Sequence, residues 1–369
     1  MSLDPAVWVA LALLPGVGPL RFSRLMEAGY PADAIPDLPA ARVGVGKRAA
    51  AYDHARRSVR RRAAHELRHA RRLGIQIIPR DSPRYPTLLK EIHDPPFVLW
   101  VRGELPVVGP RVAVVGSRTP TAYGRRVAVA LAERLSEREI ETVSGGARGI
   151  DGLAHQTAVE SGGRTVAVTG AGLLRPYPPE HAPLFDRIAD RGAIVSEFPL
   201  EQEPSAGHFP RRNRLISGLC SVVVVVEAAV RSGSLTTATH ALDQGREVLA
   251  IPGPITSAKS AGCHRLIRDG AALVESLEDV VEAFPMAGRP LKRCNTNTYP
   301  DPALDGLSTD EKSVLGILDD VEPFHVDQIA DRVPFGVARL QAALMGLQFR
   351  AAVDEPAPGY YLSRPRRDS

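Results

Sequence analysis

From residue 111 onward the chain alternates short runs dominated by apolar and β-branched residues with longer stretches in which apolar residues recur at helical spacing. The runs are Val112–Val115, Ile140–Val143, Thr165–Thr169, Ala193–Ser196, Val222–Val226, Val248–Ile251 and Ala272–Val274. None alternates with polar residues, which is the pattern of strands buried on both faces of a sheet. Strands of that kind separated by amphipathic helices predict an α/β domain over residues 111–284, with an extended Rossmann-like, doubly wound and mostly parallel sheet. In such a sheet ligands sit beyond the carboxyl ends of the strands.

The flanks follow other patterns. Residues 1–73 read as a helical module holding two Gly-Val-Gly turns, Leu14-Pro15-Gly16-Val17-Gly18-Pro19 and Val43-Gly44-Val45-Gly46-Lys47. Both resemble helix-hairpin-helix turns, whose glycines either let a phosphate approach the backbone or simply join helices tightly. Residues 74–110 contain Pro83, Pro86, Pro95 and Pro96, so they are expected to be an extended connector packing the helical module onto the core. Residues 285–306, rich in Pro, Asn and Thr, read as a linker, and residues 307–369 as a winged-helix-like module. Its helices are expected at Asp310–Asp319, Val326–Arg332 and Phe335–Phe349, ahead of a hairpin ending at Leu362.

Composition changes this picture little. In 369 residues, 44% hydrophobic content suffices for two or three cores, and a net charge of +4 is compatible with a polyanionic partner without requiring one. The positive charge is concentrated: Arg56, Arg57, Arg60, Arg61, Arg62, Arg68, Arg71 and Arg72 surround a single acid, Glu66. This is a positive helix face, either solvated or DNA-contacting. Cys220, Cys263 and Cys294 lack metal-ligand spacing and leave an odd thiol, which points to a reducing, cytoplasmic setting with no metal. Asp4 stands where a secretory signal carries cations, and no apolar run is long enough for a membrane span.

The candidate chemistry lies in the strand-end loops. Gly116-Ser117-Arg118 offers a tight turn, a hydroxyl and a guanidinium fork for phosphate. Ser144-Gly145-Gly146 opens a small-residue loop that runs to Asp151, without the lysine of a Walker loop or the spacing of a dinucleotide fingerprint. Phe209-Pro210-Arg211-Arg212-Asn213-Arg214 sets cations beside a ring on which a base can stack, with one or two members bracing the loop internally. Gly233, Ser234 and Thr236 stand at the start of a helix whose amides and hydroxyls suit an anion. Four loops converging on one edge predict a phosphate-binding surface, best matched by single-stranded DNA and needing no cofactor.

Read in order, Val114–Arg118, Ser144–Asp151, Tyr177-Pro178, Ser196-Glu197, Phe209–Arg214, Ser232-Gly233-Ser234 with Thr237, and Pro252-Gly253 resemble the DNA processing protein A family, also called Smf. That resemblance implies a non-enzymatic protein that protects single-stranded DNA and loads the RecA recombinase during natural transformation. It implies a DNA pocket at Arg118, Phe209, Arg211 and Arg214 with Ser117, Gly146 and Gly233, and a homodimer formed through the segment holding Leu266 and Ile267. The sequence departs from the family where a lysine often precedes the Phe-Pro pair: here stand Ser205-Ala206-Gly207, with Arg212 as a candidate substitute. The expected recognition helix of the C-terminal module carries few cations, Arg339 and Arg350, so protein contact and weak duplex contact both stay open. The competing reading is a phosphoribohydrolase-like enzyme of the same Rossmann group, against which stands the lack of a glutamate on the first turns after Ser234.

Overall fold

The computed structural model describes residues 3–284, 307–318, 323–350 and 352–363. The expected linker therefore lies outside the described residues, as does Cys294. The chain divides into two compact units, residues 1–287 and 288–369.

The first unit begins with helices α1 (Pro5–Leu13), α2 (Pro19–Glu27), α3 (Ala40–Val43), α4 (Ala49–Arg56) and α5 (Val59–Arg72). The two Gly-Val-Gly turns meet each other: a Cβ on Gly16 would lie 3.3 Å from both Arg48 Cδ and Val45 Cγ1. Arg21 donates to the Gly16 carbonyl. These contacts give Gly16 a packing role, whereas a Cβ on Gly18, Gly44 or Gly46 would meet no atom within 4 Å.

A nine-stranded sheet follows, built from β1 (Gln76–Pro79), β2 (Val98–Gly103), β3 (Arg111–Val115), β4 (Glu141–Ser144), β5 (Thr165–Val168), β6 (Ala193–Ser196), β7 (Val222–Val225), β8 (Glu247–Ala250) and β9 (Ala272–Leu273). Its order is β1-β2-β6-β5-β4-β3-β7-β8-β9. From β6 to β9 all pairings are parallel, while β2 runs antiparallel to both β6 and β1. The proline-rich stretch taken as a connector thus supplies two strands of its own, with the short helix α6 (Thr87–Lys90) between them. Trp100 and Val98 of β2 share one apolar cluster with Val9, Leu11, Tyr52 and Ala63 of the helical module, so one core spans both.

The central strands show why no polar alternation was visible in the sequence. Ala113, Val115, Val223 and Val225 face one cluster, with Leu215, Leu219 and Ala238. Val112, Val114, Val222 and Val224 face the other, with Leu131, Leu135 and Ile150. Both faces are covered, so these eight positions are all apolar. The helices that cover them are α7 (Ala122–Glu137), α8 (Ile150–Glu160), α9 (Ala182–Arg191), α10 (His208–Gly218), α11 (Gly233–Asp243), α12 (Ala261–Arg268) and α13 (Leu277–Glu282).

The chain moves outward from β3 through β4, β5 and β6, then crosses back to place β7 on the other side of β3. That reversal opens a crevice at the carboxyl ends of β3 and β7.

The second unit holds α14 (Thr309–Leu315), α15 (Val326–Ala330) and α16 (Val337–Phe349) with strands β10 (Phe324–His325), β11 (Val353–Ala357) and β12 (Tyr360–Ser363) in the order β10-β12-β11. Val314, Ile329, Leu340, Leu344 and Leu347 form its core. Three helices closed by a hairpin are the expected winged-helix arrangement. The Arg339 guanidinium is engaged with Asp310 at 2.6–2.7 Å, and Arg350 Nε lies 3.9 Å from Glu311.

Candidate functional site

The loops predicted to converge do meet at the crevice. Gly116 permits the approach of its neighbours: a Cβ there would lie 2.7 Å from Ile150 Cγ1 and 3.1 Å from the Glu227 carbonyl. Ser117 is half-buried beside it, and Arg118 reaches outward. The following helix α7 is capped by Thr121, whose hydroxyl accepts from Gly124 N at 3.1 Å. Thr121 in turn donates through its amide and hydroxyl to Glu227 at the end of β7. Glu227 is therefore a buried tie between the two central loops. On the far side, Tyr123 Oη donates to Pro252 O at 2.8 Å and Lys259 Nζ donates to the Thr119 carbonyl, fastening the loop after β8 to the same place.

Ser144, Gly145 and Gly146 are buried. Ser144 Oγ donates to Val114 O at 2.6 Å, and Gly145 N donates to Asp151 Oδ2 at 3.1 Å. These groups form the floor of the crevice rather than its contact surface.

The Phe209–Arg214 segment, read as a loop, forms the first turns of α10; Pro210 is compatible with a first turn, where its missing N–H costs no intrahelical bond. The helix sorts its residues by face. Phe209 is half-buried and Arg211 exposed, whereas Arg212, Asn213 and Arg214 are 4%, 9% and 6% exposed. The sequence groups these three with Arg211 as DNA contacts while leaving one or two members to brace the segment internally; the structure turns all three inward and gives each an internal task. Arg212 donates to the Gly145 and Val168 carbonyls. A Cβ on Gly145 would sit 2.5 Å from Arg212 Nη1 and 2.6 Å from Asp151 Oδ2, so glycine is what admits the guanidinium. Arg212 accordingly cannot replace the family's lysine at the surface. Burial lowers its pKa to about 10, which leaves it charged at neutral pH. Burial pushes the Asp151 carboxyl up, against the opposing pull of Arg212. Below them His155 is wholly buried, with Nδ1 2.7 Å from Thr165 Oγ1; burial lowers its pKa to about 3.

Asn213 Nδ2 donates to Gly233 O at 3.1 Å and Thr236 Oγ1 at 2.8 Å, tying α10 to the start of α11. Arg214 donates to Asp94 O at 2.7 Å and to Glu197 Oε2 at 2.6 Å. Glu197 also accepts from Arg211 Nη2 at 2.9 Å, and Arg211 Cζ lies 5.2 Å from the Phe198 ring centroid. At α11, Ser232 caps the helix and its Oγ lies 2.7 Å from Ser234 Oγ, while Gly233 and Thr236 are exposed.

What remains accessible is a rim of cations around a ring pair. Arg118 Cζ stands 5.8 Å from the Phe209 ring centroid, and Phe209 lies 5.4 Å from the ring of Tyr177, centroid to centroid. Gly170 lets the Phe209 ring rest on backbone, since a Cβ there would lie 2.8 Å from Phe209 Cδ1. Arg118 has no carboxylate partner among the described residues. Tyr177, Arg148 and Lys259 join the site without having been singled out as contacts. Tyr177 was visible only as half of the Tyr-Pro pair, and Arg148 only as the charged residue inside the small-residue loop. Lys259 had no local signal. Among the described residues no group of His, Cys, Asp and Glu could hold a metal ion. Leu266 and Ile267 lie half-buried on α12, packed against the core that contains Cys263.

Comparison with known proteins places this site in context. A family model described as DNA recombination-mediator protein A matches residues 76–285, so it begins at β1, where the sheet itself begins. The DprA winged helix domain matches residues 298–354. The chain is 42% identical to protein Smf of Escherichia coli over 287 residues, covering 77% of this chain and 76% of that protein. Its fold is similar to the crystal structure of DNA processing protein A from Streptococcus pneumoniae, with a TM-score of 0.65 and 33% identity, over 77% of this chain and 99% of the other. It is also similar to DNA processing protein A from Helicobacter pylori, a structure described for its single-stranded DNA binding mode. There the TM-score is 0.51 and the identity 27%, over 56% of this chain and 94% of the other.

Proposed function

The chain belongs to the DNA recombination-mediator protein A family, and we propose that it binds single-stranded DNA along the carboxyl edge of its sheet. The observation that carries this reading is the Arg118–Phe209–Tyr177 group, in which a guanidinium with no carboxylate partner among the described residues stands beside two rings tilted against each other. A phosphate takes the guanidinium and a base takes a ring face, a combination that favours an unpaired strand over a duplex whose bases are already stacked. Arg211, Ser117, Gly233 and Thr236 border the same edge, and the buried Arg212, Asn213 and Arg214 hold it in shape. Because phosphates carry no base information, binding is largely insensitive to sequence.

The strand so held is protected and handed to the RecA recombinase in the cytoplasm, the role that family membership suggests. The protein acts as a homodimer through the α12 face at Leu266 and Ile267. The DNA-binding region is taken as residues 111–284, with residues 1–73 and 74–110 as its supports and 307–369 as an accessory module in which Arg339 and Arg350 lie against Asp310 and Glu311.

The carboxylates nearest the crevice support binding without chemistry. Glu227 is committed to Thr121, Glu197 to Arg211 and Arg214, and Asp151 to the Gly145 amide. Release of free base from nucleoside monophosphates would restore the hydrolase reading.

The test is a fluorescence titration of single-stranded and duplex DNA across a range of salt. Tighter binding of the single strand, weakening steeply with salt, is expected. Equal binding of both forms, or no salt dependence, would remove the proposal. A chain ending at Phe284 is expected to keep most of the single-strand affinity.

A further inference from the structure

Beside Arg118 the surface opens into a second cleft of about 490 Å³, outside the Phe209 edge. One wall is α7, which contributes Arg125. The other is formed by the loop after β4 and by α8 and α9, which contribute Arg148, Gln156 and Arg187. Four arginines face this space, and Glu180 is the sole carboxylate among the described residues that line it. Arg125 has no ion pair among the described residues. Arg187 reaches Glu160 only at 3.8 Å. Arg148 is held by Glu180, but both side chains are about half exposed (58% and 49%), and an exposed pair of this kind is readily given up.

Arg118 belongs to both surfaces: it stands over Phe209 and it lines the cleft. The volume falls within the roughly 300–1,000 Å³ of small-ligand pockets, room for a sugar-phosphate unit. We propose that the cleft receives the next phosphates of the same single strand, which passes Arg118 and continues between Arg125 and Arg187, displacing Glu180 from Arg148. The inference rests on the Phe209 edge being a single-strand site and adds a second stretch of contacts to it. A set of four guanidinium groups around one cleft, one of which also stands over the Phe209 ring, is complementary to a phosphodiester chain. An isolated anion would leave most of these cations unanswered.

The experiment compares full-length wild type with an Arg125→Ala/Arg187→Ala double variant and a Glu180→Gln variant. Each is titrated with fluorescein-labelled oligothymidylates of about 6 and about 20 nucleotides, bracketing the site sizes of single-strand binders. The double variant should bind the short strand like wild type, bind the long one about tenfold more weakly, and lose about 1.4 from the salt slope, the contribution of two phosphates. Glu180→Gln should tighten the long strand about two- to five-fold and leave the short one unchanged.

Wild-type affinity of the double variant for the long strand would overturn the inference. So would equal losses on both lengths, since the arginines would then act only through their field or in the first site. Competition by thymidine 5′-monophosphate or inorganic phosphate that erases the length difference at low concentration would also overturn it, making the cleft a small-anion site. Failure of wild type to bind either oligonucleotide would sink the single-strand reading itself, an outcome distinct from the other three.

Discussion

The floor and the rim of the crevice use the same residue type for opposite ends. On the floor, Arg212 and Arg214 are buried and hydrogen-bonded to backbone carbonyls and to Glu197. On the rim, Arg118 and Arg211 are exposed, and Arg118 stands over a ring at the mouth of the cleft with no carboxylate partner among the described residues. A buried charge must be matched by fixed partners, so it defines shape. An exposed charge keeps its hydration and can exchange it for a ligand's phosphate. Basic residues adjacent in sequence therefore divide into architecture and recognition according to which side of one helix they occupy.

This contrast can be broken most forcefully on the floor. Arg214→Ala takes the buried partner from Glu197, leaving it only the exposed Arg211, and should cost up to about 3–5 kcal/mol of stability, read as a lower midpoint in denaturant unfolding. A change below about 0.5 kcal/mol, typical of surface sites, would place Arg214 with the rim instead.

The floor should also respond to acid through His155. Its folded pKa, about 3, lies below the ordinary value of 6.5, so the unfolded chain takes up the proton first. The stability associated with neutral His155 is complete above pH 6.5 and is lost as the pH falls toward 3. At pH 5 the loss is roughly 2 kcal/mol, since each unit is worth about 1.4 kcal/mol. Comparing unfolding midpoints of wild type and His155→Gln between pH 7 and pH 5 checks this, because the variant should lack that part of the slope.

On the rim, Arg118→Ala should weaken single-strand binding by about 1–3 kcal/mol, the range for a charge-assisted contact. Its unfolding midpoint should move by less than about 0.5 kcal/mol. Binding loss accompanied by an equal stability loss would erase the distinction between the two regions.

Much of the architecture was legible because it is repetitive. Ala193–Ser196 reads as a strand from its own residues, and the structure gives the same limits. Strands β1 and β2 were obscured by the prolines around them, although Gln76–Pro79 and Val98–Gly103 carry strand-forming residues. The crevice was legible as a set of loops. The sorting within Phe209–Arg214 was not, because the partners that bury Arg212 and Arg214 come from Gly145, Val168, Asp94 and Glu197, all distant in sequence. Local pattern reports which side chains can bind phosphate; only tertiary contacts report which of them are still free.

The shared core of α1 and β2 has a spectroscopic consequence. The chain's two tryptophans, Trp8 and Trp100, are both buried in that single cluster, and Trp8 lies 5.9 Å from the Phe97 ring. Intrinsic tryptophan emission is thus a reporter of one corner of the molecule, blue-shifted and shielded from soluble quenchers while the N-terminal helices stay docked on β2. It is an optical signal of that docking, and strand binding at the crevice is to be followed with a label on the DNA.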